Sequence, residues 1–209
     1  MMDANPSAAY QIKILTIGEK PLESGKMLVT DRKRLLALLR EHSLMFGEFT
    51  LASGRKSDFY FDSKKTTLRP DGAYWVAAEM LQFLSHKGIV ADAVGGLTLG
   101  ADPIVCPMAA LSHLTETPLR AFIVRKEAKG HGTTRQIEGD LEPASKVVVI
   151  DDVITTGGST LKAIEAAEQA GHEVVAVMCI VDREQGGAEA LSNWPFFPLF
   201  KRSEIFDDR

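Results

Sequence analysis

Val147-Val148-Val149-Ile150-Asp151-Asp152-Val153-Ile154-Thr155-Thr156-Gly157-Gly158-Ser159-Thr160 is the stretch whose reading decides the fold. Four β-branched residues in a row, with nothing polar between them, describe a strand buried on both faces, as strands of parallel sheets are. It ends in two adjacent carboxylates. The Thr and Gly residues that follow lead into a helical pattern over Thr160 to Ala170. Strand, glycine turn and helix in that order present backbone N–H groups and a helix N-terminus to a phosphate. The carboxylates need a different partner, because phosphate would repel them. Vicinal ribose hydroxyls suit them, since a carboxylate accepts a hydrogen bond from each member of a diol. The stretch has neither the Gly-Lys-Ser/Thr of a Walker loop nor a Gly-x-Gly-x-x-Gly dinucleotide pattern. The competing reading is a strand end with Asp turn residues ahead of a Ser/Thr-capped helix, which requires no ligand.

The same alternation extends in both directions. Val174 to Val181 is strand-like and follows Gly171; Ala91 to Val94 precedes Gly95-Gly96 and a helical pattern over Pro103 to Leu114; Ala121 to Val124 precedes a polar loop. Apolar strands alternating with helices predict an α/β fold with a central parallel sheet flanked by helices. Upstream, Thr30 is a candidate N-cap for an amphipathic helix over Asp31 to Arg40, and Pro70 stands where a helix through Ala73 to His86 begins, with Gly88 as its stop. Phe59 to Asp62, after the turn at Ser53-Gly54-Arg55, reads as a short strand, and these amino-terminal elements are expected to form a small hood. Residues 1–27 mix Pro, Gly and Ser with one apolar clump and are expected to be a flexible extension without chemistry. Residues 28–209 are expected to be a single domain.

A net charge of −4 argues against broad adhesion to nucleic acid or membrane, so any anion site must be local. The two cysteines, Cys106 and Cys179, each lie in an apolar run, which excludes a Cys-x-x-Cys metal pattern and predicts buried thiols of a reducing cytoplasm. No apolar run approaches the ~20 residues of a membrane-spanning helix, and the start of the chain lacks the pattern of a secretory signal.

Two further features carry charge to the sheet. Arg125, Lys126, Lys129 and His131, with Gly130 and Gly132 between them, lie in a stretch too polar and glycine-rich for a core, which suits a cationic lid; the alternative is a solvated surface loop. Arg183 follows a strand at the carboxyl end of the sheet, where doubly wound folds bind ligands. Its guanidinium suits a planar carboxylate, although strand-end arginines also form surface ion pairs. No Ser or Cys has the setting of an activated nucleophile.

The strand, Asp151-Asp152 and Thr/Gly loop resemble the motif by which type I phosphoribosyltransferases bind 5-phosphoribosyl-1-diphosphate (PRPP). Three more segments are similar to the orotate-using branch of that family: Gly47-Glu-Phe-Thr-Leu-Ala-Ser-Gly-Arg-Lys-Ser57 with Phe59-Tyr-Phe61, Arg125-Lys-Glu-Ala-Lys-Gly-His-Gly132, and Val181-Asp-Arg183. The resemblance covers Leu35 to Arg183. It implies transfer of the 5-phosphoribosyl group from PRPP to orotate, giving orotidine 5′-monophosphate and diphosphate, in a homodimer with shared active sites. It implies that PRPP is bound by Arg125, Lys126, Lys129, His131, Asp151, Asp152, Val153, Ile154, Thr155, Thr156, Gly157, Gly158 and Ser159. Lys129, His131, Asp151 and Asp152 would be the catalytic groups, and orotate would be held by Thr155, Arg183, Tyr60 and Phe61. Mg²⁺ would be held mainly by PRPP, without a protein metal site. The sequence departs from the family pattern at Ala52 and over Gly95 to Gly100, where lysines are expected. Lys56, Lys64 and Lys65 are the candidate replacements, with the backbone N–H groups of Gly95 to Gly100 as another source of diphosphate binding. The rival readings are a phosphoribosyltransferase for a purine or other base and a non-catalytic PRPP-sensing regulator.

Overall fold

A computed structural model describes residues 28–50, 56–127 and 136–206. The expected extension, residues 1–27, lies outside them, as do Ala52, Lys129 and His131. The strand Lys146–Ile154, here β6, is the centre of the molecule. Val148 and Ile150 point into one core and Val147 and Val149 into the other, all fully buried. This is the two-residue period of a strand covered on both faces, and it explains why the sequence tolerates no polar residue there.

Around β6 the sheet takes the order β5-β4-β3-β6-β7-β8. Its other members are β3 (Ala93–Leu97), β4 (Arg120–Val124), β5 (Ile137–Glu138), β7 (Glu173–Asp182) and β8 (Phe196–Lys201). All neighbours are parallel except β5, which runs antiparallel to β4. The chain leaves β3 toward β4 and later returns to β6 on the other side of β3. The switch of direction therefore falls between β3 and β6, which in such sheets opens a crevice at the carboxyl ends of the two strands.

Helices α1 (Arg32–Leu38), α3 (Pro70–His86) and α4 (Asp102–Ser112) supply Leu35, Val76, Met80, Ile104 and Met108 to one face of the sheet; α5 (Gly158–Gln169) supplies Ala163, Ile164 and Ala167 to the other. Asp31, one residue past the expected Thr30, caps α1 by accepting from the Arg34 N–H, and Pro70 starts α3. Cys179 is buried as expected. Cys106 is exposed, contrary to expectation, because the apolar run around it is helical: Ile104, Val105 and Met108 take the inward face and leave position 106 outside.

The hood is an antiparallel pair, β1 (Leu44–Thr50) with β2 (Lys56–Phe61), followed by the short helix α2 (Lys64–Thr67). It is not built from amino-terminal residues alone. The last helix, α7 (Arg202–Phe206), packs beneath it, placing the Phe206 ring edge-on to Phe59 at 4.6 Å. The Arg40 guanidinium closes the contact by donating to the carbonyls of Glu204 and Ile205, both at 2.9 Å. Ile205 is 3% exposed in the main core. Ile205→Ala is expected to cost about 2–4 kcal/mol of stability, read as a lower urea midpoint with an unchanged denaturant slope.

Candidate active site

Asp151 and Asp152 end β6 at the rim of the switch-point crevice. Asp151 is 5% exposed, and among the described residues it forms no ion pair with a cation. Its Oδ2 accepts from the hydroxyls of Ser159 at 2.8 Å and Thr160 at 2.9 Å, and its Oδ1 accepts from the Asp152 N–H at 3.0 Å. Burial pushes its pKa up to about 6; the hydroxyls oppose the shift and the Asp152 charge adds to it. Asp152 is better compensated. Its Oδ2 accepts from the Ser63 hydroxyl and from Lys64 Nζ at 3.2 Å, both brought by the hood, while its Oδ1 accepts from the Val153 N–H at 2.9 Å. For Lys64, burial works against the charged form, but the Asp152 charge and hydrogen bond outweigh it and raise the pKa above the ordinary lysine value.

The two Oδ1 atoms face the loop that leaves β3. A Cβ at Gly100 would stand 2.9 Å from Oδ1 of Asp151 and equally close to Oδ1 of Asp152, so only glycine leaves this approach open. Thr98 donates to Asp102 Oδ2 at 2.7 Å, fixing the loop onto the first turn of α4. On the other side, Gly157 takes φ +83° and starts α5 without a side-chain cap, leaving first-turn N–H groups available to an anion. Thr156, Gly158 and Ser159 are exposed around that turn, whereas Ile154 is buried and can offer a ligand only its backbone. Carboxylates, glycine loop and helix N-terminus thus converge at one end of the sheet.

The remaining candidates are distributed around this centre. Arg183 is tied to the phosphate turn through its N–H, which donates to the Ile154 carbonyl at 2.8 Å. Its guanidinium lies over the Phe59 ring at 5.4 Å, and Arg202 of α7 lies over the same ring at 5.3 Å. The turn after Arg183 is pinned to the C-terminal segment, since Glu184 accepts from the Ser203 N–H at 2.9 Å. Of the two hood aromatics expected beside the base, Tyr60 is exposed and stacks on Phe49 at 5.7 Å, and Phe61 packs against the main core. It is Phe59, their neighbour on the same strand, whose ring meets the Arg183 guanidinium. Arg125 forms an ion pair with Glu138 at 2.6 Å across the β4–β5 edge. Lys126 lines, with Leu97, Ser159 and Lys162, a cavity of about 500 Å³ beside the amino end of α5.

Among the described residues no three His, Cys, Asp or Glu side chains converge as a metal cage, and no helix is long and apolar enough to cross a membrane. The two carboxylate oxygens beside Gly100 are hard donors of the kind a ligand-carried Mg²⁺ accepts.

Sequence and structure comparisons agree with this geometry. Residues 90–198 match the family model of the phosphoribosyl transferase domain, which defines the class. An orotate phosphoribosyltransferase of Aquifex aeolicus is 44% identical over 184 residues, covering 86% of this chain and all of the relative. One from Thermosynechococcus vestitus is 48% identical over 177 residues, 83% of this chain and 92% of the relative. The crystal structure of Mycobacterium tuberculosis orotate phosphoribosyltransferase in complex with PRPP superposes with a TM-score of 0.70 at 32% identity, covering 83% of this chain and 98% of that one. The chain belongs to the orotate phosphoribosyltransferases.

The raised pKa of Asp151 has a signed consequence. Between about pH 4 and pH 6 the folded state keeps a proton that the unfolded chain has released, so stability from this group falls as pH rises through that window and stays low above it. Asp151→Asn removes the buried charge, and its advantage in Tm over wild type is expected to grow from pH 4 to pH 7 and then level off. Activity of the same folded variant is expected to fall on the order of a hundredfold. Differential scanning calorimetry across pH, with turnover measured alongside, checks both.

Proposed function

We propose that this chain transfers the 5-phosphoribosyl group of PRPP to orotate, forming orotidine 5′-monophosphate and releasing diphosphate. The observation that carries the reading is the pair of Oδ1 atoms facing Gly100, between a glycine turn at the start of α5 and the loop after β3. That spacing suits a ribose held by its hydroxyls, with a phosphate on one side and a diphosphate on the other.

In this mechanism Asp151 and Asp152 accept from the ribose hydroxyls, and Val153 to Ser159 hold the 5-phosphate. The anomeric carbon loses its bond to diphosphate as the orotate ring nitrogen forms the new C–N bond. The ring passes through an oxocarbenium-like state, and hydrogen bonds from hydroxyls to carboxylates strengthen as positive charge develops. Charge building on the departing oxygens is met by Arg125, Lys126, Lys129 and His131, and by backbone N–H groups of Gly95 to Gly100. Mg²⁺ carried by PRPP would neutralise part of the diphosphate charge. No enzyme nucleophile is required: Cys179 is buried and its pKa is pushed well up by burial. Arg183, with its guanidinium over the Phe59 ring, offers a planar cation to the orotate carboxylate, with Thr155, Tyr60 and Phe61 completing the base site. The two thiols and the absence of a spanning helix among the described residues support action in the cytoplasm.

With PRPP and Mg²⁺, orotate turnover is expected to exceed that of adenine, hypoxanthine, guanine and uracil, measured as diphosphate release; comparable kcat/KM for a purine would remove the base assignment.

We propose further that the Lys129 segment serves the site of a second subunit in a homodimer. Lys129→Ala and the double variant Asp151→Asn, Asp152→Asn are each expected to be nearly inactive. Denatured and refolded together in equal amounts, they should recover about a quarter of wild-type activity, because half the dimers are mixed and each mixed dimer has one intact site. Mass-verified heterodimers without recovered activity would show that the segment serves its own chain.

A further inference from the structure

Lys64 does not belong to the PRPP motif, the cationic segment or the base site, yet it is the cation bound to the site's carboxylates among the described residues. It stands at the start of α2, immediately after the hood strand β2, and its Nζ lies 3.2 Å from Asp152 Oδ2. The same oxygen accepts from Ser63, whose side chain is almost fully buried at 1% exposure. Asp62 flanks the ammonium at 4.0 Å, so Lys64 sits between two carboxylates, one from the hood and one from the floor of the sheet.

The division of labour on Asp152 is the informative feature. Among the described residues, Oδ2 accepts two side-chain hydrogen bonds from the hood, whereas Oδ1 accepts one, from the Val153 N–H, and faces Gly100. A carboxylate oxygen accepts about two hydrogen bonds, so Oδ1 retains capacity toward the crevice and Oδ2 does not. Fixing one oxygen aims the other. A merely decorative surface pair would not do this, because an exposed ammonium held by one carboxylate is weakly oriented and screened by solvent. Here Ser63 is buried and the pair bridges two structural layers.

We infer that Lys64, with Ser63, is a positioning residue for the ribose site: it anchors Asp152 Oδ2 to the hood so that Oδ1 is presented to a ribose hydroxyl of PRPP. The inference rests on the proposed reaction and deepens it, since it gives the hood a task beyond enclosing the base. It also selects one lysine among Lys56, Lys64 and Lys65 as the cation that serves the PRPP side of the site.

The test compares wild type, Lys64→Met, Lys64→Arg and Ser63→Ala, using PRPP with Mg²⁺ and orotate. Wild-type turnover is measured first; if wild type does not convert orotate, the proposed reaction fails and the result does not concern Lys64. With an active wild type, Lys64→Met is expected to lose about tenfold or more in kcat/KM for PRPP. The loss should be shared between a lower kcat and a higher KM for PRPP, with the KM for orotate within about twofold of wild type. Weaker binding of PRPP–Mg²⁺ to the same variant by isothermal calorimetry should match it. Lys64→Arg should restore part of the loss, and Ser63→Ala should move the same constants in the same direction by less.

A purely structural role predicts a different pattern: a lower Tm, a shift in orotate KM through the displaced hood, and no rescue by arginine. That pattern, or a Lys64→Met enzyme with wild-type kcat/KM and PRPP affinity, overturns the inference. If Lys64→Met does not fold, the comparison of Ser63→Ala with wild type decides: unchanged PRPP constants overturn the inference, and a PRPP-specific loss supports it.

Discussion

Two adjacent carboxylates at the end of a buried strand are an electrostatic liability, and much of the active-site architecture answers it. Asp151 is taken out of water with, among the described residues, hydroxyl and main-chain donors around it, and burial holds its pKa near 6. Asp152, one residue along and on the other side of the pleat, receives a cation from a different layer of the molecule. Neither arrangement is the cheapest for folding. Hydroxyls at Ser159 and Thr160 soften the cost for one carboxylate, and the hood softens it for the other. Such a pair persists where charge is needed at a fixed place, which fits the diol-holding role proposed for it.

The constraint reaches beyond the carboxylates. For Asp152 to be compensated, α2 must sit over the end of β6, so β1 and β2 are placed above the crevice as well. That location is maintained from the far end of the chain: Phe206 packs on Phe59, and Arg40 holds the carbonyls of α7. The same C-terminal segment pins the turn that carries Arg183 through Glu184. The Arg183 side and the Asp152 side of the crevice are therefore supported by one set of contacts, in which the hood and the last helix act together.

How much of this was legible along the chain depended on whether neighbours in space were neighbours in sequence. The β6 strand, its two carboxylates, the glycine turn and α5 form one continuous segment, so period, glycine placement and side-chain chemistry identify them together. The exposed Cys106 shows the limit of the same reasoning: an apolar run reports burial on average, and only the helical phase of α4 decides which residue faces out. Phe59 illustrates it again. Three aromatics in succession on a strand alternate between faces, and the sequence does not say which face Arg183 will meet.

By itself, then, the sequence determined the α/β class, the glycine turn, the paired carboxylates and the branch of phosphoribosyltransferases that the chain resembles, because each is written in residues a few positions apart. Only the tertiary structure decided that Ser63 and Lys64 attend Asp152, that Gly100 must lack a Cβ to pass both Oδ1 atoms, and that α7 completes the hood. These contacts join residues about 50 to 165 positions apart. Local propensity and spacing carry no information about such pairings; they follow from the strand order, which brings the ends of β3 and β6 to one crevice, and from the packing of α7 beneath the hood.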